Sequence, residues 1–233
     1  MSEIKPVHLL AGGRSAHRSA NDSLIRGALR ESGKKSPSIG YVGTASGDDR
    51  NFFDLLAGMF RENGAGEVRH ALLASDNADI SSAKQILKHS DIICISGGDV
   101  NAGMQKLSKR EMVPFLAELY QDGKPFFGLS AGSIMLAKAW VRWRSPHEDT
   151  SAEAFPCLGL APVFCDTHDE EGGWAELKTL LMLEKEGVAG YGIATGTALK
   201  VFPDGGTEAL GGAVHRYVSR GGNVERISDV TPL

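Results

Sequence analysis

Short runs of apolar and β-branched residues alternate along the chain with stretches whose apolar positions recur every three or four residues. The runs are Val7–Ala11, Ser38–Val42, Val68–Leu73, Asp91–Ile95 and Pro125–Phe127, and most of them close on glycine or on a serine-glycine turn. Between them, Asp22–Glu31 carries Leu24, Ile25, Ala28 and Leu29 at helical spacing. Phe52–Phe60 places Phe52, Leu55, Leu56, Met59 and Phe60 on one face. Asp79–His89 and Val113–Tyr120 complete the helices, the latter with Pro114 in its first turn, where a missing N–H costs nothing. Continuous apolar strands separated by helices predict an α/β fold, a largely parallel sheet covered by helices on both faces. In the C-terminal third, Ala189–Ile193, Ala198–Phe202, Ala209–Val218 and Asn223–Ile227 follow one another across glycine turns with no helix between them. They predict antiparallel strands added to the sheet edge. No repeat, low-complexity tract or linker divides the chain, so residues 1–233 are expected to form one domain.

Composition narrows the function classes. Apolar residues are 42% and charged residues 23% of 233, an ordinary globular mix that excludes a wholly disordered chain. With 25 Lys+Arg against 29 Asp+Glu the net charge is −4, without the basic footprint of a general nucleic-acid binder. No apolar run approaches the length of a membrane span and the N-terminus lacks a secretory pattern, so neither membrane nor export is expected. The three cysteines, Cys94, Cys157 and Cys165, form no C-x-x-C pair, which argues against disulfides and structural zinc and for a reducing cytoplasm. Cys94, inside an apolar run, reads as a buried small hydrophobe. No metal or cofactor is expected, because no His, Cys or carboxylate cluster has ligand spacing. Glycine is in excess, 29 residues against an average usage of roughly 7%.

The strongest chemical signal is Gly128-Leu129-Ser130-Ala131-Gly132, with an apolar strand before it and a helix-forming run after it. This is the G-x-S-x-G turn in the strand–turn–helix context that its mechanics require. The chain reverses sharply at the serine, glycine on either side removes the collisions, and the hydroxyl is presented beside a helix N-terminus whose N–H groups favour an oxyanion. A plain turn with Ser130 as a helix cap is the structural alternative. A serine nucleophile needs a base. Of seven histidines, His8, His70, His89 and His215 fall in strands or at a helix end and read as structural, and His17 is ambiguous. His147 and His168 lie in loops after the serine. His168 follows the short strand Val163–Asp166, and at the carboxyl end of such a strand it is the preferred base.

The order of Ser96-Gly97-Gly98-Asp99, Gly128 to Ser133, Leu158-Gly159-Leu160, Asp166-Thr167-His168 and Tyr191 to Ala198 resembles the serine peptidase family of peptidase E and cyanophycinase. That family has a fold related to class I glutamine amidotransferases. The resemblance implies Ser130 as nucleophile, His168 as base, and an oxyanion hole from the N–H groups of Gly98 and Ala131. It implies a short peptide or isopeptide substrate, with an acidic residue on its amino side. Asp99, Asp166, Arg142 and Arg144 are candidate substrate-binding residues, the two arginines as bidentate partners of a carboxylate. The arginines after the histidine and the acids of the later Gly-Ile-Asp-Glu stretch in cyanophycinase-like members are replaced here by Asp169-Glu170-Glu171 and by Ala194-Thr195. A triad acid is then sought at Glu148 or Asp149. The alternatives are a non-catalytic binding or regulatory module of the same fold, and more remotely an α/β-hydrolase esterase or a nucleotide binder at Gly12-Gly13. A homodimer covering edge strands and a monomer are both open.

Overall fold

A computed structural model describes residues 3–12, 18–145 and 149–232. Its centre is a seven-stranded sheet of β1 (Val7–Leu10), β2 (Ile39–Val42), β3 (Val68–Ala71), β4 (Ile92–Ile95), β5 (Phe126–Leu129), β10 (Ala198–Val201) and β11 (Thr207–Leu210). The order is β11-β10-β1-β5-β4-β2-β3, with β1 to β5 mutually parallel and β10–β11 joining as an antiparallel hairpin beside β1.

Alternation along these strands builds two cores. Leu9, Val42, Ile93, Ile95 and Phe126 face one side, and Leu10, Tyr41, Ile92, Cys94 and Phe127 the other. The second face is covered by α1 (Arg18–Arg30) and α2 (Arg50–Glu62), through Leu24, Ile25, Phe53, Leu56 and Phe60. The first is covered by α3 (Ile80–His89), α4 (Val100–Lys109), α5 (Met112–Gln121) and the six-residue α6 (Ala131–Leu136). Cys94 is fully buried, which drives its thiol pKa well up.

The rest of the chain departs from the simple edge-strand expectation. β6 (Ala139–Trp143) and β7 (Ala152–Pro156) form a separate ribbon. β8 (Phe164–Thr167), β9 (Ala189–Ile193), β12 (Val214–Arg220) and β13 (Asn223–Val230) form a second sheet, in which β8 and β9 are parallel and α7 (Ala175–Leu183) crosses between them. Among the described C-terminal strands, only β10–β11 extends the main sheet. The expected strand Ala209–Val218 is two strands, divided at Gly211, whose φ is +78°. On α2 the buried stripe is Phe53, Leu56, Ala57 and Phe60, while Leu55 is 68% exposed. Trp174, Leu177, Leu180, Leu181 and Tyr217 fill a third core under α7. Among the described residues no helix is long and apolar enough to cross a membrane.

Candidate active site

The carboxyl ends of β1, β2, β4 and β5 all deliver loops to one edge of the sheet, the place where parallel sheets build their ligand crevices. β5 runs directly into α6 through Ser130, whose backbone sits at φ 52°, ψ −123°. Such a conformation is costly for a residue with a side chain and persists only where the surroundings impose it. Here they do. The Ser130 N–H donates to the Leu10 carbonyl at 2.8 Å, and the Ser133 hydroxyl donates to the same oxygen at 3.0 Å. A Cβ on Gly128 would lie 2.5 Å from the Ser133 nitrogen, and one on Gly132 would lie 2.0 Å from the Ile95 carbonyl. The Ser130 hydroxyl makes no capping bond to α6, so it is not spent as a cap residue.

The Gly97-Gly98 turn after β4 packs against this elbow. A Cβ on Gly97 would fall 3.3 Å from Ser130 Cβ, and one on Gly98 would fall 2.1 Å from the Ala45 carbonyl. Gly98 has φ +139°, and the next N–H, of Asp99, is held on that Ala45 carbonyl at 2.8 Å. Only glycine fits at Gly98, because a side chain there would collide with the Ala45 backbone and the positive φ would strain it.

His168 comes from the second sheet. β8 and β9 pair in parallel with Thr167 opposite Ile193, and the His168 N–H continues the pairing to the Ile193 carbonyl at 3.2 Å. At φ +63° His168 leaves the strand, and its Nδ1 lies 3.0 Å from the Thr195 hydroxyl. Partial burial pulls the His168 pKa below its ordinary value, against the pull of the Glu170 charge. Ser130 and His168 both line an open cavity of about 1150 Å³. One wall is apolar, with Leu10, Ile25, Phe52, Leu56 and Met59. The other is acidic, with Asp169, Glu170 and Glu171 beside Thr195.

The other sequence candidates lie elsewhere or do other work. The Asp99 carboxylate caps α4, accepting from the Ala102 N–H at 2.7 Å. Arg142 and Arg144, on and just after β6, pair with Glu153 at 2.7 and 3.3 Å, and Arg142 also covers the Phe155 ring; neither lines the cavity. Asp166 is buried on β8, accepts from the Thr167 N–H and does not line the cavity. Burial first, and then the charges of Glu176 and Asp169, push its pKa up to about 7. Glu148 and the Asp149 side chain lie outside the described residues, as do His17 and His147. Thr195, Glu170 and the apolar wall from α2 were not read from the sequence as site residues. Their signals there are the Asp169-Glu170-Glu171 and Ala194-Thr195 departures and a helical stripe that looks like ordinary core. Among the described residues no three His, Cys or carboxylate groups converge as a metal set.

Residues 8–208 match the model of Peptidase family S51. The match spans β1 to β11, and the class it defines is a serine peptidase. The chain belongs to peptidase family S51. An uncharacterized peptidase, YgaJ, of Bacillus subtilis (strain 168) is 24% identical over 202 residues, covering 86% of this chain and 85% of its own length. Peptidase E of Pasteurella multocida (strain Pm70) is 24% identical over 136 residues, 58% of this chain and 54% of that protein. The crystal structure of a peptidase from an acI-B1 Actinobacterium superposes with a TM-score of 0.73 at 19% identity, over 98% of this chain and 97% of the other. These likenesses confirm the α/β architecture expected from the pattern of strands and helices.

Proposed function

We propose that this peptidase cleaves a short peptide or isopeptide through Ser130 as nucleophile and His168 as base, by way of an acyl-enzyme. The supporting observation is the position of Ser130: strained at the tip of the β5–α6 turn, its hydroxyl uncommitted to the helix, in one cavity with an imidazole. With Nδ1 engaged by Thr195, Nε2 is the nitrogen left to take the Ser130 proton as Oγ attacks the amide carbonyl carbon. The main-chain N–H groups of Gly98 and Ala131 hold the oxyanion. Each such donor contributes roughly 10²–10³ in rate. The imidazolium then protonates the departing amine, and water, deprotonated by the same imidazole, releases the acyl group. The lowered pKa keeps His168 neutral and able to accept a proton at pH 7.

The walls of the cavity favour a peptide with an apolar side chain toward Phe52, Leu56 and Met59 and a positively charged amine toward Asp169, Glu170 and Glu171. An acidic side chain, which the family resemblance implies, meets no Lys or Arg among the described lining residues. Turnover of a dipeptide and isopeptide library by the wild-type protein and by Ser130→Ala tests the proposal. Wild-type cleavage of amino-terminally free, apolar substrates, lost in Ser130→Ala, is expected. Cleavage that survives in Ser130→Ala would overturn it.

A further inference from the structure

We propose that Glu170 is the acid of this site and that it acts on His168 through the hydroxyl of Thr195, so that His168, Thr195 and Glu170 form a three-membered relay. The inference rests on the Ser130–His168 reading above for its catalytic meaning, and on the described geometry for its existence.

The imidazole Nδ1 meets a hydroxyl, not a carboxylate, at 3.0 Å. A hydroxyl has one proton to give and can accept in return. The Glu170 carboxylate is held against the same residue, accepting from the Thr195 backbone N–H, which sets it beside the Thr195 hydroxyl. A Thr195 hydroxyl that donates to Glu170 must accept from His168, which places the imidazole proton on Nδ1 and leaves the Nε2 lone pair for Ser130. The carboxylate thus selects the tautomer across one intervening oxygen. Burial works against ionising Glu170, but the N–H of Thr195, its own N–H, the Thr195 hydroxyl and the nearby His168 together hold it below the usual carboxylate range. It is therefore negative at neutral pH.

The main chain holds both ends of the relay. Thr195 sits in a turn tied to β1, with the Gly196 N–H on the Ala11 carbonyl and the Ala11 N–H on the Thr197 carbonyl, each at 3.0 Å. Glu170 sits in the loop between β8 and α7, which Asp169 folds back by accepting from the Ala175 N–H at 2.9 Å while its carbonyl takes the Trp174 N–H. Gly172 completes that fold, since a Cβ there would lie 2.0 Å from Asp169 Oδ1. Glu170 is a positioning residue. It fixes proton placement and ring orientation and stabilises the imidazolium that forms in turnover, and it touches no reacting atom.

The test pairs two independent readouts on full-length protein. One is the rate of Ser130 phosphonylation by a fluorophosphonate, which needs no knowledge of the substrate. The other is the pH titration of the His168 ring nitrogens by NMR, which needs no catalysis. Asp169, Glu170 and Glu171 are the titratable groups lining the cavity with the ring, and Glu170 is the one whose charge raises the His168 pKa. Glu170→Gln should lower that pKa, shift the neutral ring away from the Nδ1–H tautomer, and slow phosphonylation roughly 10–10²-fold, less than the roughly 10⁴-fold cost of altering a carboxylate in direct contact with an imidazole. Thr195→Val should give the same signature, Thr195→Ser should restore it, and the double variant should add little, as expected for groups that act as a unit. If Glu170→Gln does not fold, the Thr195→Val and Thr195→Ser pair carries the comparison. Unchanged titration and labelling in Glu170→Gln and Thr195→Val, with wild-type Ser130 labelled, would overturn the relay and leave the peptidase reading intact. The tautomer shift without labelling of wild-type Ser130 would uphold the relay and overturn that reading.

Discussion

Gly132 and Ile95 meet so closely that a Cβ on the glycine would stand 2.0 Å from the Ile95 carbonyl oxygen. This contact presses the start of α6 onto the end of β4, bringing the serine elbow against the Gly97-Gly98 turn. The nucleophile's geometry is thus a packing result, imposed from outside a pentapeptide that could not hold it alone.

Gly132→Ala should therefore destabilise the protein by about 3 kcal/mol, the upper range for overpacking a filled interior. Gly58→Ala is the contrast: it lies inside α2, where an added Cβ meets nothing within 4 Å. It should stabilise by about 0.5–1 kcal/mol, because glycine costs a helix that much relative to alanine. Urea unfolding midpoints of the two variants, moving in opposite directions, check this.

Asp166 ties stability to pH. Its folded pKa, near 7, lies above the unfolded value near 3.8, so ionisation works against the folded state. The penalty is absent below about pH 4, grows as pH rises, and levels off above about 7 at no more than about 4 kcal/mol. Asp166→Asn keeps an acceptor for the Thr167 N–H and removes the charge. It should raise the unfolding free energy at pH 8 and leave it nearly unchanged at pH 4. Equal effects at the two pH values would contradict this assignment.

Glu31 has the opposite sign. Burial resists its ionisation, but hydrogen bonds and charge from His8 and Lys200, at 2.9 and 2.7 Å, take its pKa down to about 2. The stabilisation is present above the unfolded pKa near 4.5 and is lost as pH falls toward 2. Glu31→Gln should cost about 1–2 kcal/mol at pH 7, solvent screening of the pair included. Denaturation curves of the two proteins should converge as pH is lowered from 5 toward 2.

Arg142 and Arg144 are engaged by Glu153 on and beside the β6–β7 ribbon, outside the cavity lining. Replacing either by alanine should leave the KM for a cleaved peptide within twofold, with a stability loss of about 1 kcal/mol or less, as for exposed ion pairs. A KM rise confined to acidic substrates would restore them as carboxylate binders.

The legible part of this molecule was whatever local spacing encodes. The strand runs, the elbow between Gly128 and Gly132, and the strand leading to His168 all carry short-range patterns that sterics dictate. Three kinds of feature were not legible. Val100, Met104 and Leu107 seat α4, but Gly103, admitted because Met135 packs onto it, dilutes the helical pattern. The second sheet arises because α7 gives β8 and β9 a parallel crossover, a choice that strand composition does not reveal. The Thr195 hydroxyl reaches His168 only because Thr167 and Ile193 are in register across that pair, so the missing acid at position 195 looked like a loss. The partner at Glu170 lies 25 residues earlier in sequence and becomes visible only once the β8–α7 loop is folded.

Mass spectrometry of the wild-type protein after exposure to a fluorophosphonate tests the central claim most directly. One phosphonyl adduct per chain, mapped to Ser130 and absent from both Ser130→Ala and His168→Ala, is the expected result. A protein that stays unmodified, or an adduct that maps to another residue and persists in Ser130→Ala, would contradict the assignment of this turn as the nucleophile.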